Sequence, residues 1–294
     1  SQERVTQLLG AVSLDRVVPV QQATSKKSGL LLSEDVSTIQ EEGGTWSRLF
    51  NPGDFANKSP VLVWWLAIQL IGVLALPLTW RIFSSYYDRG YGLAQILGLL
   101  LTTYIVWLMA SLKILPFSRL SILCSLAVLA LCSIVILKTS WDRFRAYLFE
   151  RRRIILIHEA VFLAAFVLML LIRARNPDLW HLSFGGEKPM EFAFLNAVVK
   201  STYFPPYDPW FAGGYINYYY FGYVIVSTLI RLTGIVPAVA FNLAIASIFA
   251  LTAAGLFSFG FTYLASGRQL AGRIPGRMAV LCGLAAVTFT LLIG

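Results

Sequence analysis

Stretches free of charged residues alternate with short charged ones along most of the chain, and their lengths suit lipid rather than water. Residues 60–80 and 91–112 contain no Asp, Glu, Lys or Arg. About twenty helical residues cross a hydrocarbon core of roughly 30 Å, so each run predicts one membrane span. Residues 120–137 and 154–172 predict a third and a fourth, the last carrying His158 and Glu159 one turn inside it. Pro77, near the end of the first run, reads as a kink or an exit. Residues 237–266 are continuously apolar apart from Asn242, and 278–294 begins a further span.

Two segments break this pattern. Residues 1–59 have soluble composition, with Gly43, Gly44, Pro52 and Gly53 among acidic positions, and are read as a polar tail or linker. Residues 173–214 form a long polar loop, and helical pattern returns within it at about 187–201 and after it at 217–235. Lys138, Arg143, Arg145 and Arg151–Arg153 mark the segment 138–153 as cytoplasmic, since cytoplasmic loops collect Lys and Arg. The loop 173–214, one span later, then lies outside, with the 113–119 turn and the tail. If 217–235 also crossed, Arg268, Arg273 and Arg277 would face outward. It is therefore read as an interfacial or re-entrant helix, with Asn217, Ser227, Thr228 and Arg231 in one polar stripe.

Composition narrows the class. The 294 residues are 57% hydrophobic and 13% charged, against roughly 25% charged in a soluble domain, which excludes a soluble globule. The net charge of +9 raises nucleic acid as a partner, but the basic residues cluster at the ends of apolar runs, where the charge rule accounts for them. No nucleic-acid partner is expected. The three cysteines lie inside apolar runs without a C-x-x-C spacing, so neither a disulfide framework nor a zinc site is indicated. The chain stops at Gly294 within an apolar run, and the expectation is a piece of a longer protein.

Candidate chemistry concentrates in the outer loop. Between 203 and 223, 11 of 21 residues are aromatic and seven are tyrosine. Such a cluster suits an aromatic belt at headgroup level, or a surface that stacks sugar rings or cradles an isoprenoid chain. Glu187 and Glu191 are four apart, on one side of a helix opening at Pro189 whose other faces are largely apolar. A carboxylate there should turn toward a cavity, a cation or water, and desolvation would make it a general base. The competing reading is that Glu187 and Lys188 cap and solvate a surface helix. His158 and Glu159, beside Arg151–Arg153, are read as an interfacial pair. His181 and Asp208 could join a metal site with the glutamates, although no metal-motif spacing is present. Nucleotide-binding, serine-hydrolase, zinc-protease and dinucleotide motifs are all missing.

The strings Asn176-Pro-Asp-Leu-Trp-His181, Gly185-Gly-Glu-Lys-Pro-Met-Glu-Phe-Ala-Phe-Leu-Asn196 and Pro205-Pro-Tyr-Asp-Pro-Trp-Phe-Ala-Gly-Gly-Tyr-Ile-Asn-Tyr-Tyr-Tyr-Phe-Gly222 resemble the YYY-motif multi-pass membrane proteins of prokaryotes, a family of unknown function. The resemblance covers about 60–294, including the turn Asp88-Arg-Gly-Tyr91, and implies a prokaryotic cell membrane and a longer parent chain. More distantly, the order of basic loop, span, long outer loop with an early acid, and short helix is similar to the start of GT-C glycosyltransferases. That resemblance implies an all-α polytopic bundle of GT-C type and sugar transfer from a polyprenyl-phosphate donor on the outer face. Its early acid falls nearest Glu187 and Glu191. The group often shows two adjacent acids, whereas these are four apart.

The leading expectation is a membrane glycosyltransferase-like enzyme with Glu191, or Glu187, as base. Lys188, Arg173 or Arg175 would steady the lipid phosphate. His181, Asp208, Trp210, Tyr215, Asn217, Tyr218, Tyr219 and Tyr220 would join Lys188 in binding substrate. A divalent cation, Mg²⁺ or Mn²⁺, is the cofactor such a site could take. The alternative is a non-catalytic scaffold or lipid-binding subunit that meets other membrane proteins, and a transporter ranks third.

Overall fold

The structure is a computed structural model, and it describes residues 50–51, 53–179, 186–211, 213–217, 219–270 and 276–293. Among these residues the regular secondary structure is all helical, without strands. After a single helical turn Phe55–Lys58, the helices are α1 (Pro60–Ile82), α2 (Ala94–Ser111, entered through a 3-10 turn Tyr91–Leu93), α3 (Arg119–Glu150), α4 (Arg152–Arg175), α5 (Lys188–Lys200), α6 (Tyr220–Thr233), α7 (Pro237–Leu270) and α8 (Arg277–Thr288, continued by a π turn Phe289–Ile293). Helices α1, α2 with its entry turn, α3, α4 and α7 are long and apolar enough to cross a membrane. The polar tail falls largely on residues 1–49, outside the described residues.

Two helices differ from the sequence pattern. The basic segment 138–153 is not a loop: α3 runs through it to Glu150, and only Arg151 separates it from α4. Its 32 residues make a rod of about 48 Å, longer than the hydrocarbon, so its basic end stands beyond the span. Pro77 neither breaks nor ends α1, which continues to Ile82. Ser133 of α3 donates a hydrogen bond to the Leu74 carbonyl at 2.5 Å, the kind of neighbouring hydroxyl that makes an intramembrane proline tolerable.

Helices α1, α2 and α3 pack together, and α4, α7 and α8 form a second group around α7. Consecutive α3 and α4 touch little. Lipid tails are as apolar as leucine, so within each group close backbone approach and hydrogen bonds hold the helices. Gly98 lets α2 meet α1 so closely that a Cβ there would lie 2.8 Å from both Cγ2 and the carbonyl oxygen of Ile71. Ser125 of α3 donates to the Thr102 carbonyl of α2 at 2.9 Å. Between the groups, the Trp64 indole of α1 donates to Ser247 of α7 at 2.8 Å, both residues buried. The outward face of α3, with Leu120, Leu131, Ile134 and Val135, is left exposed as lipid-facing surface.

The short helices α5 and α6 pack on each other and cap the end of the bundle opposite the basic segment. Helix α6 has 14 residues, about 21 Å, too short to cross a 30 Å core. Its polar stripe turns inward: Ser227 and Thr228 are buried, and the Arg231 guanidinium donates to the carbonyls of Val199 and Ser201 at the end of α5. Burial lowers that guanidinium to about 10. Thr228 bonds back to the Val224 carbonyl of its own helix and the buried Ser227 hydroxyl has no partner among the described residues, so Arg231 alone ties the stripe to α5.

The Gly98 crossing is testable. Gly98→Ala should push α1 and α2 apart and cost about 1–3 kcal/mol, the usual range for overpacking. A thermal melt in detergent should show a midpoint several degrees lower, and an unchanged midpoint would contradict the crossing.

Candidate functional site

The aromatic-rich segment folds back on itself at the capped end. Tyr207 and Tyr215 face each other as an isolated antiparallel bridge with rings stacked 5.0 Å apart. Backbone bonds from Asp208 to Gly214 and from Ile216 to Pro206 close the turn, and Gly213 supplies its left-handed residue at φ 81°. Asp208 accepts the Trp210 amide hydrogen at 2.8 Å, fixing the turn's near side. The interaction with Tyr215, assisted by its charge, pushes the Tyr207 hydroxyl above its usual range. Between this turn, α5 and the start of the 113–118 loop lies a cavity of about 820 Å³, lined by Lys113, Asn196, Lys200, Tyr203, Tyr207, Asp208 and Tyr215 among others. It combines ring faces, two ammonium groups and one carboxylate.

The glutamates lie elsewhere on α5. Glu187 is exposed at the N-cap position, and Glu191 is half-buried in the first turn. The residues of α5 that line the cavity, Ala193, Asn196, Ala197 and Lys200, occupy one face. Glu191 stands on the other, in the stripe of Leu195 and Val198, both buried in the bundle. The neighbouring Phe192 meets Phe241 of α7 edge-on at 5.8 Å. That contact brings the first turn of α5, which carries Glu191, against the part of α7 that carries Asn242.

Asn242 holds Arg173. The guanidinium of Arg173, buried at 9% exposure, donates from Nε and Nη2 to the Asn242 amide oxygen at 2.9 and 2.6 Å. It makes no ion pair with a carboxylate among the described residues. It borders a cleft of about 500 Å³ between α4 and α7, otherwise lined mainly by apolar groups such as Val61, Leu170 and Leu243, with Asp178 at its rim. A buried, oriented guanidinium in an apolar cleft is an arrangement that favours an anionic headgroup on a greasy tail. Arg175, Trp210 and Asn217 are exposed, Lys188 is half-buried, and Tyr219 and Tyr220 line an open aromatic groove with Tyr104 and Trp107. His181 and Tyr218 lie outside the described residues.

The opposite, basic end holds polar residues that the sequence pattern had placed at an interface or in a mere turn. Asp88, between α1 and α2, is fully buried. Its Oδ2 lies 3.0 Å from Nε2 of His158 and accepts the Ser258 hydroxyl at 2.6 Å; its Oδ1 accepts the Gly90 amide at 3.0 Å and the Thr262 hydroxyl at 3.4 Å. The Tyr147 hydroxyl donates to the Asp88 carbonyl at 2.8 Å. Burial pushes the Asp88 carboxyl up, but His158, Ser258 and the Gly90 amide outweigh it and hold the group below the ordinary 3.8. Next to it, Glu159 accepts from the Tyr91 hydroxyl at 2.9 Å and from Gln69 at 3.0 Å, and Gln95 donates to Gln69 at 2.8 Å. His158 and Glu159 are thus tied into the bundle interior rather than resting at a surface. The Asp-Arg-Gly-Tyr turn and the His-Glu pair were visible as motifs, but nothing in their spacing signals that they meet.

Five helices capable of crossing a bilayer, packed through small residues and buried hydroxyls, define a multi-pass helical membrane protein. Residues 101–294 match the family described as uncharacterized membrane protein, DUF2298, and the chain belongs to that family. No curated protein matches the chain, and no solved structure does.

Asp88 also sets a pH dependence. A carboxyl held lower in the folded state than in the unfolded one stabilises fully above the unfolded value, and that contribution is lost as pH falls through the folded value. Asp88→Asn should therefore melt below wild type at neutral pH, with the gap narrowing once pH drops beneath about 4, the unperturbed aspartate value. Parallel melting curves at constant separation from pH 7 to pH 3 would contradict this assignment.

Proposed function

We propose that the capped end is a site for an isoprenoid-type lipid phosphate and that the protein transfers a sugar from such a donor to an acceptor, in the manner of GT-C glycosyltransferases. The observation that carries the reading is Arg173: a buried guanidinium held by Asn242 at the border of a largely apolar cleft between α4 and α7. A donor's phosphate would pair with the guanidinium while its chain lies along the cleft, in contact with membrane lipid. The aromatic cavity, with Tyr207, Tyr215, Lys200 and Asp208, lies on the face of α5 away from Glu191; its stacking faces and polar edges would hold a sugar of the acceptor remote from the one transferred.

In this reading Glu191, brought near α7 by the Phe192–Phe241 contact, takes the proton from an acceptor hydroxyl. The resulting oxygen attacks the anomeric carbon, the lipid phosphate leaves with the bonding pair, and Arg173 stabilises its charge. Glu187, at the exposed start of α5, is the alternate base, and Lys188 and Arg175 are further phosphate ligands. Among the described residues no three acidic, histidine or cysteine side chains come together, so a divalent cation finds no ligand set there and no step is routed through one.

A non-catalytic lipid-binding subunit would use the same cleft without Glu191, and two measurements separate the two. Arg173→Gln should weaken binding of a polyprenyl phosphate in nanodiscs by about 10- to 100-fold, the worth of a charge-assisted hydrogen bond. Equal affinity in that variant would remove the lipid-phosphate site. Glu191→Gln should retain binding and abolish sugar transfer; turnover at the wild-type rate would end the catalytic assignment and leave the binding subunit.

A further inference from the structure

Beside Asp88 both ring nitrogens of His158 are buried without a hydrogen bond of good geometry; Nε2 still has the Asp88 carboxylate 3.0 Å away, whereas Nδ1 faces no carboxylate. Nδ1 of His158 has no hydrogen-bond partner among the described residues, and the residue is 1% exposed. With an ionised carboxylate 3.0 Å from Nε2, the ring's hydrogen belongs on Nε2, and Nδ1 is a bare acceptor. Every nearby donor hydrogen bond described points elsewhere: those of Tyr91 and Gln69 to Glu159, that of Gln95 to Gln69, those of Ser258 and Thr262 to Asp88.

His158 borders a cavity of about 30 Å³, together with Gln69, Tyr91, Gly92, Gln95 and Glu159. Gly92 makes the room, since a Cβ there would lie 2.8 Å from Nδ1 and 2.9 Å from the Ala254 carbonyl oxygen. A single water needs about 10–15 Å³ by this measure and two to four polar neighbours. The space admits a water and no organic substrate. Ionisable side chains within membrane helices are costly, and those that persist face cavities where protons and ions are handled.

We propose that one buried water bridges Nδ1 of His158 to Glu159, and that Asp88, His158, this water and Glu159 form a proton-transfer chain at the basic end of the bundle. In the inward step a proton that the Glu159 carboxylate takes up from solvent passes to the water while the water gives one of its own to Nδ1. One O–H bond on Glu159 is exchanged for one N–H bond on His158. The products are a Glu159 carboxylate, an imidazolium beside the Asp88 carboxylate and the same water; the reverse step restores the start. Asp88 stabilises the imidazolium, and half-buried Glu159 is the end of the chain nearer the surface. The other ionisable groups facing the cluster are the hydroxyls of Tyr91 and Tyr147, with Arg89 over the Trp80 ring and Arg151 over the Tyr87 ring behind them. Helix α7 contributes the neutral Ser258 and Thr262. The chain is at the far end from the lipid-phosphate cleft and does not depend on it.

The protein has two histidines, so His181→Gln leaves His158 as the sole imidazole. In lipid nanodiscs, with ¹⁵N-labelled histidine, the ring should carry its hydrogen on Nε2, and magnetisation should pass from water to Nδ1. Exchange of the imidazole hydrogen with bulk water should slow by at least about tenfold in Glu159→Gln, since a positioned acid–base group is worth that much or more. Gly92→Ala should abolish the water-to-Nδ1 transfer by filling the cavity. A ring with its hydrogen on Nδ1 and no water transfer, or an exchange rate unmoved by Glu159→Gln in a variant of wild-type helicity, would overturn the proposal. Should that variant fail to fold, the water transfer in the His181→Gln background decides alone.

Discussion

A carboxylate with no access to water holds the two halves of this protein together. Asp88 sits on the turn between α1 and α2, yet its partners come from α4 and α7, and its backbone carbonyl is gripped by α3. Removing such a group from water costs several kcal/mol, offset only when the geometry supplies donors for its lone pairs. Those donors exist in one arrangement of the helices. In a solvent as apolar as the helices themselves, hydrophobic burial cannot choose partners or register. The polar cluster makes that choice at the basic end, and Trp64 with Ser247 repeats it further along the bundle.

The opposite end is organised by a different charge. Arg231, inside the cap, satisfies the last carbonyls of α5, and Arg119 of α3 donates to the Arg231 carbonyl at 2.9 Å. The Phe117 amide donates to the Thr202 carbonyl at 2.7 Å, and Asn57 bonds Gly234 and Val236. These contacts bring the 113–118 loop, the entry to α1 and the aromatic segment to one end. Arg173 differs from Arg231 in what it meets: a neutral amide oxygen and an open cleft rather than two backbone carbonyls.

Much of the helical architecture was legible from charge-free runs, because a hydrocarbon core imposes a length and excludes charge. Boundaries were less so where charge and helix coexist. The basic residues at 138–150 end the apolar run but not α3, since Lys and Arg are good helix formers. The polar stripe of α6 was legible, but its direction depends on what surrounds the helix. Arg173 and the aromatics of the outer loop stood out by residue type, and the structure gives them a cleft and a cavity. The separation of Glu191 from that cavity follows from the rotation of α5, which is set by burial of Leu195 and Val198. Asp88, His158 and Ser258 are too far apart in sequence for any local pattern to join them.

The grip of Arg231 on α5 has a mechanical corollary. Helices α5 and α6 are fastened to each other through a buried cation, whereas Asn57 holds the join between α6 and α7 with neutral hydrogen bonds alone. Displacing α6 would therefore drag the end of α5 with it, and would first have to break the bonds that Arg119 and Trp107 make to α6 from α3 and α2.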